Sequence, residues 1–126
     1  MNTTTNAAGE RERAWQPEDL GRLLVTRLEA GDLDGLMALY EPDAVMMAPD
    51  GRTVLGYAEI RDMFARVLEA NDSFPPGEPR VTLRVGDIAL TSTRLEPGST
   101  TAEVARRQPD GSWLWVLDDP DVGRDA

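Results

Sequence analysis

The chain has 126 residues and a formal net charge of −10 at pH 7, and its thirteen basic residues are scattered arginines, which excludes a basic surface that tracks a nucleic-acid backbone. The absence of cysteine and histidine excludes thiolate chemistry, disulfides and the usual proton shuttle at neutral pH. Acid–base chemistry therefore falls to Asp, Glu, Tyr or Arg, and we predict neither a cofactor nor a metal ion.

The ends of the chain are polar and rich in small residues, so we expect a flexible segment at 1–14, one domain at 15–120 and a flexible tail at 121–126. No stretch reaches the roughly 20 apolar residues of a membrane span, and the N-terminus lacks the apolar run of a signal peptide. We therefore expect a cytoplasmic protein without a membrane partner.

Two helices are predicted first. "QPEDLGRLLVTRLEAG" places leucines on one face between an N-terminal Pro17 and a terminating Gly31. Asp32 is suited to cap a second helix, "LDGLMALY", in which Tyr40 shares an apolar face with the leucines and Pro42 ends the helix.

A hairpin and a third helix follow. "AVMMA" and "RTVLG" flank "PDG", a turn signal, and "YAEIRDMFARVLEA" has apolar residues at helical spacing. After the prolines of "NDSFPPGEP" the period changes to two in "RVTLRVGDIALTSTRLE", "TTAEVARRQ" and "SWLWVLD", which predicts antiparallel strands. The whole pattern predicts an α+β domain.

"AGDLDGLMALY", a strand ending in Pro49, "GYAEIRDMF" and the closing "RRQPDGSWLWVLDD" together resemble the nuclear transport factor 2-like superfamily, close to its ketosteroid isomerase and SnoaL-like branches. The resemblance implies a cone-shaped barrel in which three helices pack on a strongly curved antiparallel sheet, in the order α-α-β-β-α-β-β-β-β. It also implies an apolar pocket and a homodimer formed through the sheet.

The catalytic residues of ketosteroid isomerase do not carry over to this chain. Its oxyanion-hole tyrosine falls on Leu24, and its general base falls on Ala48, so that reaction is not expected here. The resemblance instead places the lining of a ligand pocket at Leu24, Met46, Ala48, Met63 and Val116. Met46 and its neighbour Met47 are equally suited to pack a small core.

One pair of carboxylates stands out in the last hairpin. If Asp110 and Gly111 are the central turn residues, Glu103 lies opposite Asp118, Ala105 opposite Val116 and Arg107 opposite Leu114. Like charges in that position repel unless they share a proton, so we predict Glu103 and Asp118 as catalytic acid and base. In the alternative, Trp113, Trp115 and Leu117 form the core face, and both carboxylates face water.

These observations predict a small protein of secondary metabolism that binds an apolar or polycyclic carbonyl compound, and that acts as an isomerase, cyclase or dehydratase if it is an enzyme. Two alternatives remain open. One is a non-catalytic ligand carrier or interaction module of the same fold, and the other is an epoxide hydrolase with an Asp-Arg-Asp set. Asp118 and its neighbouring acids are also considered as a hard-cation site, which acidic tails mimic by chance.

Overall fold

The computed structural model describes residues 11–96 and 98–123, so the outer parts of both predicted flexible ends, 1–10 and 124–126, lie outside the described residues. The helices and strands follow in chain order: α1 Asp19–Ala30, α2 Leu33–Met37, β1 Tyr40–Met47, β2 Thr53–Leu55, α3 Gly56–Ala70, β3 Glu78–Pro79, β4 Leu83–Val85, β5 Ile88–Thr91, β6 Thr93–Arg94, β7 Ala102–Arg107 and β8 Trp113–Asp119.

The second helix is shorter than its apolar pattern predicts. Asp32 caps it as expected, accepting a hydrogen bond from the backbone N–H of Gly35 at 3.0 Å. The helix ends at Met37, and the prediction that it continues to Tyr40 is wrong. The carbonyl of Leu39 instead accepts the backbone N–H of Trp115 at 2.8 Å, so pairing with β8 draws this segment into β1. Tyr40 is therefore the first residue of a strand.

The sheet has six strands in the order β2-β1-β8-β7-β5-β4, and β3 and β6 form a separate two-stranded pair. The α+β class, the three helices and the curved sheet agree with the prediction. The prediction of a wholly antiparallel sheet is wrong, because β1 and β8 pair in parallel. This pairing joins the first strand of the chain to the last. No local sequence pattern determines whether two strands so far apart in the chain run parallel or antiparallel.

The core lies between the helices and one face of the sheet. Leu20 and Leu23 of α1 and Ile60 of α3 are almost fully buried there, together with Trp113 and Trp115 of β8. Burial of each such side chain contributes on the order of 2 kcal/mol to stability. Arg61 of α3 forms an ion pair with Asp34 of α2, with 2.7 Å between Nη1 and Oδ1.

Residues 11–14 fall within the segment predicted to be flexible, but the structure packs them against the domain. Ala14 is buried, and its carbonyl accepts the backbone N–H of Trp113 at 2.8 Å. The guanidinium of Arg11 donates two hydrogen bonds of 2.9 Å to the carboxylate of Asp32. This segment therefore connects the start of α2 to the last hairpin.

No helix within residues 11–96 and 98–123 is both long and apolar enough to cross a membrane.

Candidate functional site

A β-bulge in the last hairpin determines which side chains face the interior. Glu103 pairs with Asp118, as predicted, but the register shifts between Val104 and Ala105. Ala105 consequently pairs with Trp115, not with the predicted Val116, and Val116 is the extra residue of the bulge. In the same way Arg107 pairs with Trp113, not with Leu114. An extra residue reverses the side-chain alternation of a strand on one side of the bulge.

The bulge brings the tryptophans and the carboxyl pair to the same face of the sheet. Trp113 and Trp115 are 1% and 2% exposed, and Glu103 is only 8% exposed. The alternative in which the tryptophans form the core while both carboxylates face water is therefore wrong. Leu117, which that alternative places in the core, is 48% exposed on the opposite face.

The two carboxyl groups lie in a row of inward-facing residues that crosses five strands. Successive partners along the row are set by the register of the sheet, and Met46, one of the predicted pocket residues, is the direct neighbour of Asp118. We call this set the inner row: Thr91, Glu103, Asp118, Met46 and Val54.

Each carboxyl group accepts a short hydrogen bond from a hydroxyl. Tyr40 donates its phenolic O–H to Asp118 Oδ2 at 2.6 Å, and Thr91 Oγ1 lies 2.6 Å from Glu103 Oε1. The indole N–H of Trp115 donates in turn to Thr91 Oγ1 at 3.1 Å. The ring of Tyr40 is wedged between Trp115 and Phe64 of α3, with centroids 5.5 and 5.8 Å away. Packing therefore fixes the position of the Tyr40 hydroxyl, which donates to Asp118.

The environment favours the protonated form of both acids. Burial raises the pKa of Asp118 to about 7, and the negative charge of Glu103 acts in the same direction. Burial also raises the pKa of Glu103, although hydrogen bonds from Thr101 and Thr91 act against this. The pKa of Tyr40 lies well above its usual 10, mainly because the ring is buried, so its hydroxyl remains a donor.

Two adjacent carboxyl groups with these properties supply both a proton donor and a proton acceptor near neutral pH. An acid whose pKa lies near the working pH is suited to general acid–base catalysis. Within residues 11–96 and 98–123, no ion pair includes Glu103 or Asp118, so neither carboxyl group there is fixed by an arginine.

The predicted pocket residues occupy different environments. Met46 and Ala48 are buried in the core, whereas Leu24 and Met63 are partly buried at its margin. Val116 is the extra residue of the bulge. A groove of about 320 Å³ crosses the strands that carry the carboxyl pair, and Met46 is the only one of the five among its lining residues. The groove is lined by Val45, Met46, Met47, Thr53, Leu90, Ala102, Glu103, Val104, Leu117, Asp118 and Asp119.

The opposite face of the sheet carries a continuous apolar row. Its members are cross-strand partners through all six strands, and Leu83, Leu90, Leu117 and Leu55 are between 41% and 62% exposed. We call this set the outer stripe: Leu83, Leu90, Val104, Leu117, Val45 and Leu55. Exposed apolar surface of this extent is typical of a protein–protein contact.

Three residues of the site are missing from the sequence-based prediction. The sequence pattern assigns Tyr40 to a helical stripe and Trp115 to a competing face, and Thr91 is one of several threonines in an alternating stretch. Pro42 restricts the backbone of Glu41 and so limits how far the helix extends, but this rule is compatible with a helix that includes Tyr40. The sequence has no signal for the bulge that turns Trp115 toward Thr91.

No group of three or more metal-binding side chains is arranged to hold an ion in the part of the chain that the structure describes.

The chain matches a known protein family over most of its length. The model of the SnoaL-like domain matches residues 22–120, most of the chain. The chain belongs to the SnoaL-like domain family. No curated protein sequence matches this SnoaL-like protein closely enough to count as a relative.

Solved structures support the same fold. A candidate calcium/calmodulin-dependent protein kinase type II association domain from Thiobacillus denitrificans is 22% identical, with a TM-score of 0.73 over 87% of this chain and 98% of that one. A candidate dehydratase of the nuclear transport factor 2-like family from Streptomyces avermitilis is 17% identical, with a TM-score of 0.69 over 86% and 95%. A candidate ketosteroid isomerase from Shewanella frigidimarina is 13% identical, with a TM-score of 0.66 over 80% and 90%. At these identities the likeness concerns the fold alone.

Proposed function

We propose that this SnoaL-like protein binds a small apolar carbonyl compound and catalyses a cofactor-free proton transfer, with Glu103 and Asp118 as acid and base. The observation that carries the proposal is the inward-facing carboxyl pair, in which Glu103 is buried and Asp118 is partly buried, and each member accepts a hydroxyl hydrogen bond of 2.6 Å. Isomerisation, cyclisation and dehydration next to a carbonyl group all begin with such a proton transfer.

The chemistry requires one carboxylate and one carboxylic acid at the same time. The carboxylate removes a proton from the carbon next to the carbonyl group, and the electron pair of that C–H bond forms the C=C bond of an enol. The carboxylic acid delivers its proton to the carbonyl oxygen as negative charge develops there. One shared proton supports this division of roles, because two close carboxyl groups do not ionise together easily.

The surroundings of the carboxyl pair support an apolar ligand. The rings of Trp115 and Phe64 pack on Tyr40, the donor to Asp118. Met46 lies beside Asp118 in the inner row, and its flexible thioether chain adapts to ligands of irregular shape. The groove of about 320 Å³ opens on the opposite face of the sheet, because most of its lining residues, among them Val45, Leu90, Val104 and Leu117, lie on the face of the outer stripe.

A non-catalytic carrier is the second candidate, and a specific observation favours it. Leu24 and Ala48 stand where the ketosteroid isomerase resemblance places its tyrosine and its general base, so those two catalytic groups are replaced by apolar side chains. The epoxide hydrolase alternative lacks support in the described residues, because none of their arginines forms an ion pair with either carboxyl group.

The proposal predicts that the protein accelerates deuterium exchange next to the carbonyl group of 1-tetralone, a bicyclic ketone, in D₂O. Replacing Asp118 by Asn removes one ionisable partner while leaving an oxygen that still accepts from Tyr40. We expect the exchange rate to fall by a factor of about 100 or more, as is typical for the loss of a general acid or base. NMR of the ketone measures the exchange, and Asp43→Asn, on the exposed surface of β1, is the matched control.

Two outcomes would count against catalysis. If the wild type binds 1-tetralone without accelerating exchange, the carrier is the better account. If Asp118→Asn accelerates the exchange of 1-tetralone as much as the wild type does, the carboxyl pair does not catalyse the proton transfer.

We also propose that two copies associate through the outer stripe. The stripe spans every strand of the six-stranded sheet, and a pair of identical copies related by a two-fold axis buries the same patch on both. The homodimer implied by the family resemblance would use this face.

A further inference from the structure

The hydrogen bonds around the carboxyl pair are directional, and they distinguish its two members. An indole N–H only donates, so Trp115 makes Thr91 Oγ1 an acceptor in their contact of 3.1 Å. The hydroxyl of Thr91 has one proton, and within residues 11–96 and 98–123 its other hydrogen-bond partner is Glu103 Oε1, at 2.6 Å. The proton of Thr91 therefore points at Glu103, and Glu103 Oε1 accepts it.

A second hydroxyl acts in the same direction. The backbone N–H of Thr93 donates to Thr101 Oγ1 at 3.0 Å, which leaves the proton of Thr101 free to point elsewhere. Thr101 acts to lower the pKa of Glu103, as Thr91 does. The contact of 2.6 Å from Thr91 is therefore the hydrogen bond that orients a proton toward Glu103.

Asp118 receives less support for its charge. Its hydroxyl donor is Tyr40. The charged groups that act on it, Glu103 on β7 and Asp119 on β8, are both negative. Tyr40 binds only Oδ2, so Oδ1 is the oxygen on which a proton does not compete with that hydrogen bond. With one proton between two carboxyl groups, the proton goes to the group with the additional negative neighbour, which is Asp118 beside Asp119, and Glu103 keeps the charge.

We propose that Trp115 and Thr91 are positioning residues that hold Glu103 as the ionised base, so that Asp118 carries the shared proton on Oδ1 and acts as the acid. The acid and base roles rest on the proposed function, whereas the placement of the proton does not. A substrate carbonyl oxygen would then face Asp118, and the carbon that loses a proton would face Glu103.

The test is the titration of both carboxyl carbons by ¹³C NMR in three variants of the protein. Thr91→Val keeps the shape of the side chain and removes the hydroxyl. We expect the titration midpoint of Glu103 to rise by roughly one pH unit and that of Asp118 to fall, because the loss of one hydrogen bond to a charged group has about this effect. Thr91→Ser restores the hydroxyl and should restore both midpoints. Thr26→Val, at an exposed position of α1, is the matched control.

Trp115→Phe provides an independent variant if Thr91→Val does not fold. It removes the indole N–H that orients Thr91, together with part of a buried ring. The midpoint of Glu103 should therefore rise and that of Asp118 should fall, but less than in Thr91→Val. Unchanged midpoints, or midpoints of both carboxyl groups that shift in one direction, would overturn the proposal that Trp115 and Thr91 hold Glu103 in its ionised form. Opposite shifts without any exchange of 1-tetralone would support the proton placement and remove the proposed function, so the two ideas fail separately.

Discussion

Replacing Asp118 by Asn is expected to stabilise the protein at pH 8 and to change its stability little near pH 4. The folded state raises the pKa of Asp118 from 3.8 to about 7, so the folded protein binds this proton more tightly than the unfolded chain does. The stability that this proton contributes is complete below pH 4 and is lost as the pH rises through 7. Between pH 5 and pH 8 the wild type should therefore lose about 3 kcal/mol through this group.

The Asn variant should lose much less over the same interval, because its amide does not ionise. Urea denaturation at pH 5 and pH 8 measures the difference, with Asp43→Asn as a control for the removal of an exposed negative charge. Glu103 titrates in the same direction, so some decline of stability should remain in the variant. Equal losses in the wild type and in Asp118→Asn would show that Asp118 ionises freely in the folded state.

Placing a charge in the centre of the outer stripe is expected to separate the proposed dimer. Leu117 lies between Val104 and Val45 in the stripe, so Leu117→Arg would bury an unpaired guanidinium on both sides of a two-fold contact. We expect the dissociation constant to increase by at least about 100-fold, equivalent to roughly 3 kcal/mol. Sedimentation velocity at tens of micromolar protein measures this as a change from dimer to monomer.

Val122→Arg is the matched control, because Val122 is also 48% exposed but lies beyond the last strand. It should leave the association unchanged. A wild type that sediments as a monomer at tens of micromolar would contradict the dimer, and a Leu117→Arg variant that still sediments as a dimer would place the contact on another surface.

The elements that depend on local chemistry could be predicted from the sequence. Gly31 ends α1 in the left-handed conformation, with φ of 65°, and Asp32 caps α2, as their residue types indicate. The "PDG" segments form the two predicted hairpin turns. What could not be predicted depends on distant pairing: β1 recruits Tyr40 because β8 lies beside it, and β1 and β8 run in parallel.

The site shows the same division between local and distant effects. Counting back from Asp110 and Gly111 predicts correctly that Glu103 lies opposite Asp118. The same count assumes that side chains alternate strictly between the two faces of the strand. It therefore predicts that either the tryptophans or the carboxylates face the core, but not both. The bulge at Val116 removes that conflict, since it turns both sets inward. A bulge adds one residue to one strand, and nothing in the composition of "SWLWVLD" marks its position.

The proposed function depends most on one property of the carboxyl pair, which is that it holds one proton near neutral pH in a place that a ligand can reach. The most direct test of this property is the ¹³C titration of Asp118 and Glu103 in the wild type, with and without 1-tetralone. We predict that Asp118 titrates near pH 7 and that its midpoint moves when the ketone binds. If both carboxyl groups titrate near pH 4 and do not respond to the ketone, the inner row is not an acid–base site, and the proposed proton transfer is wrong.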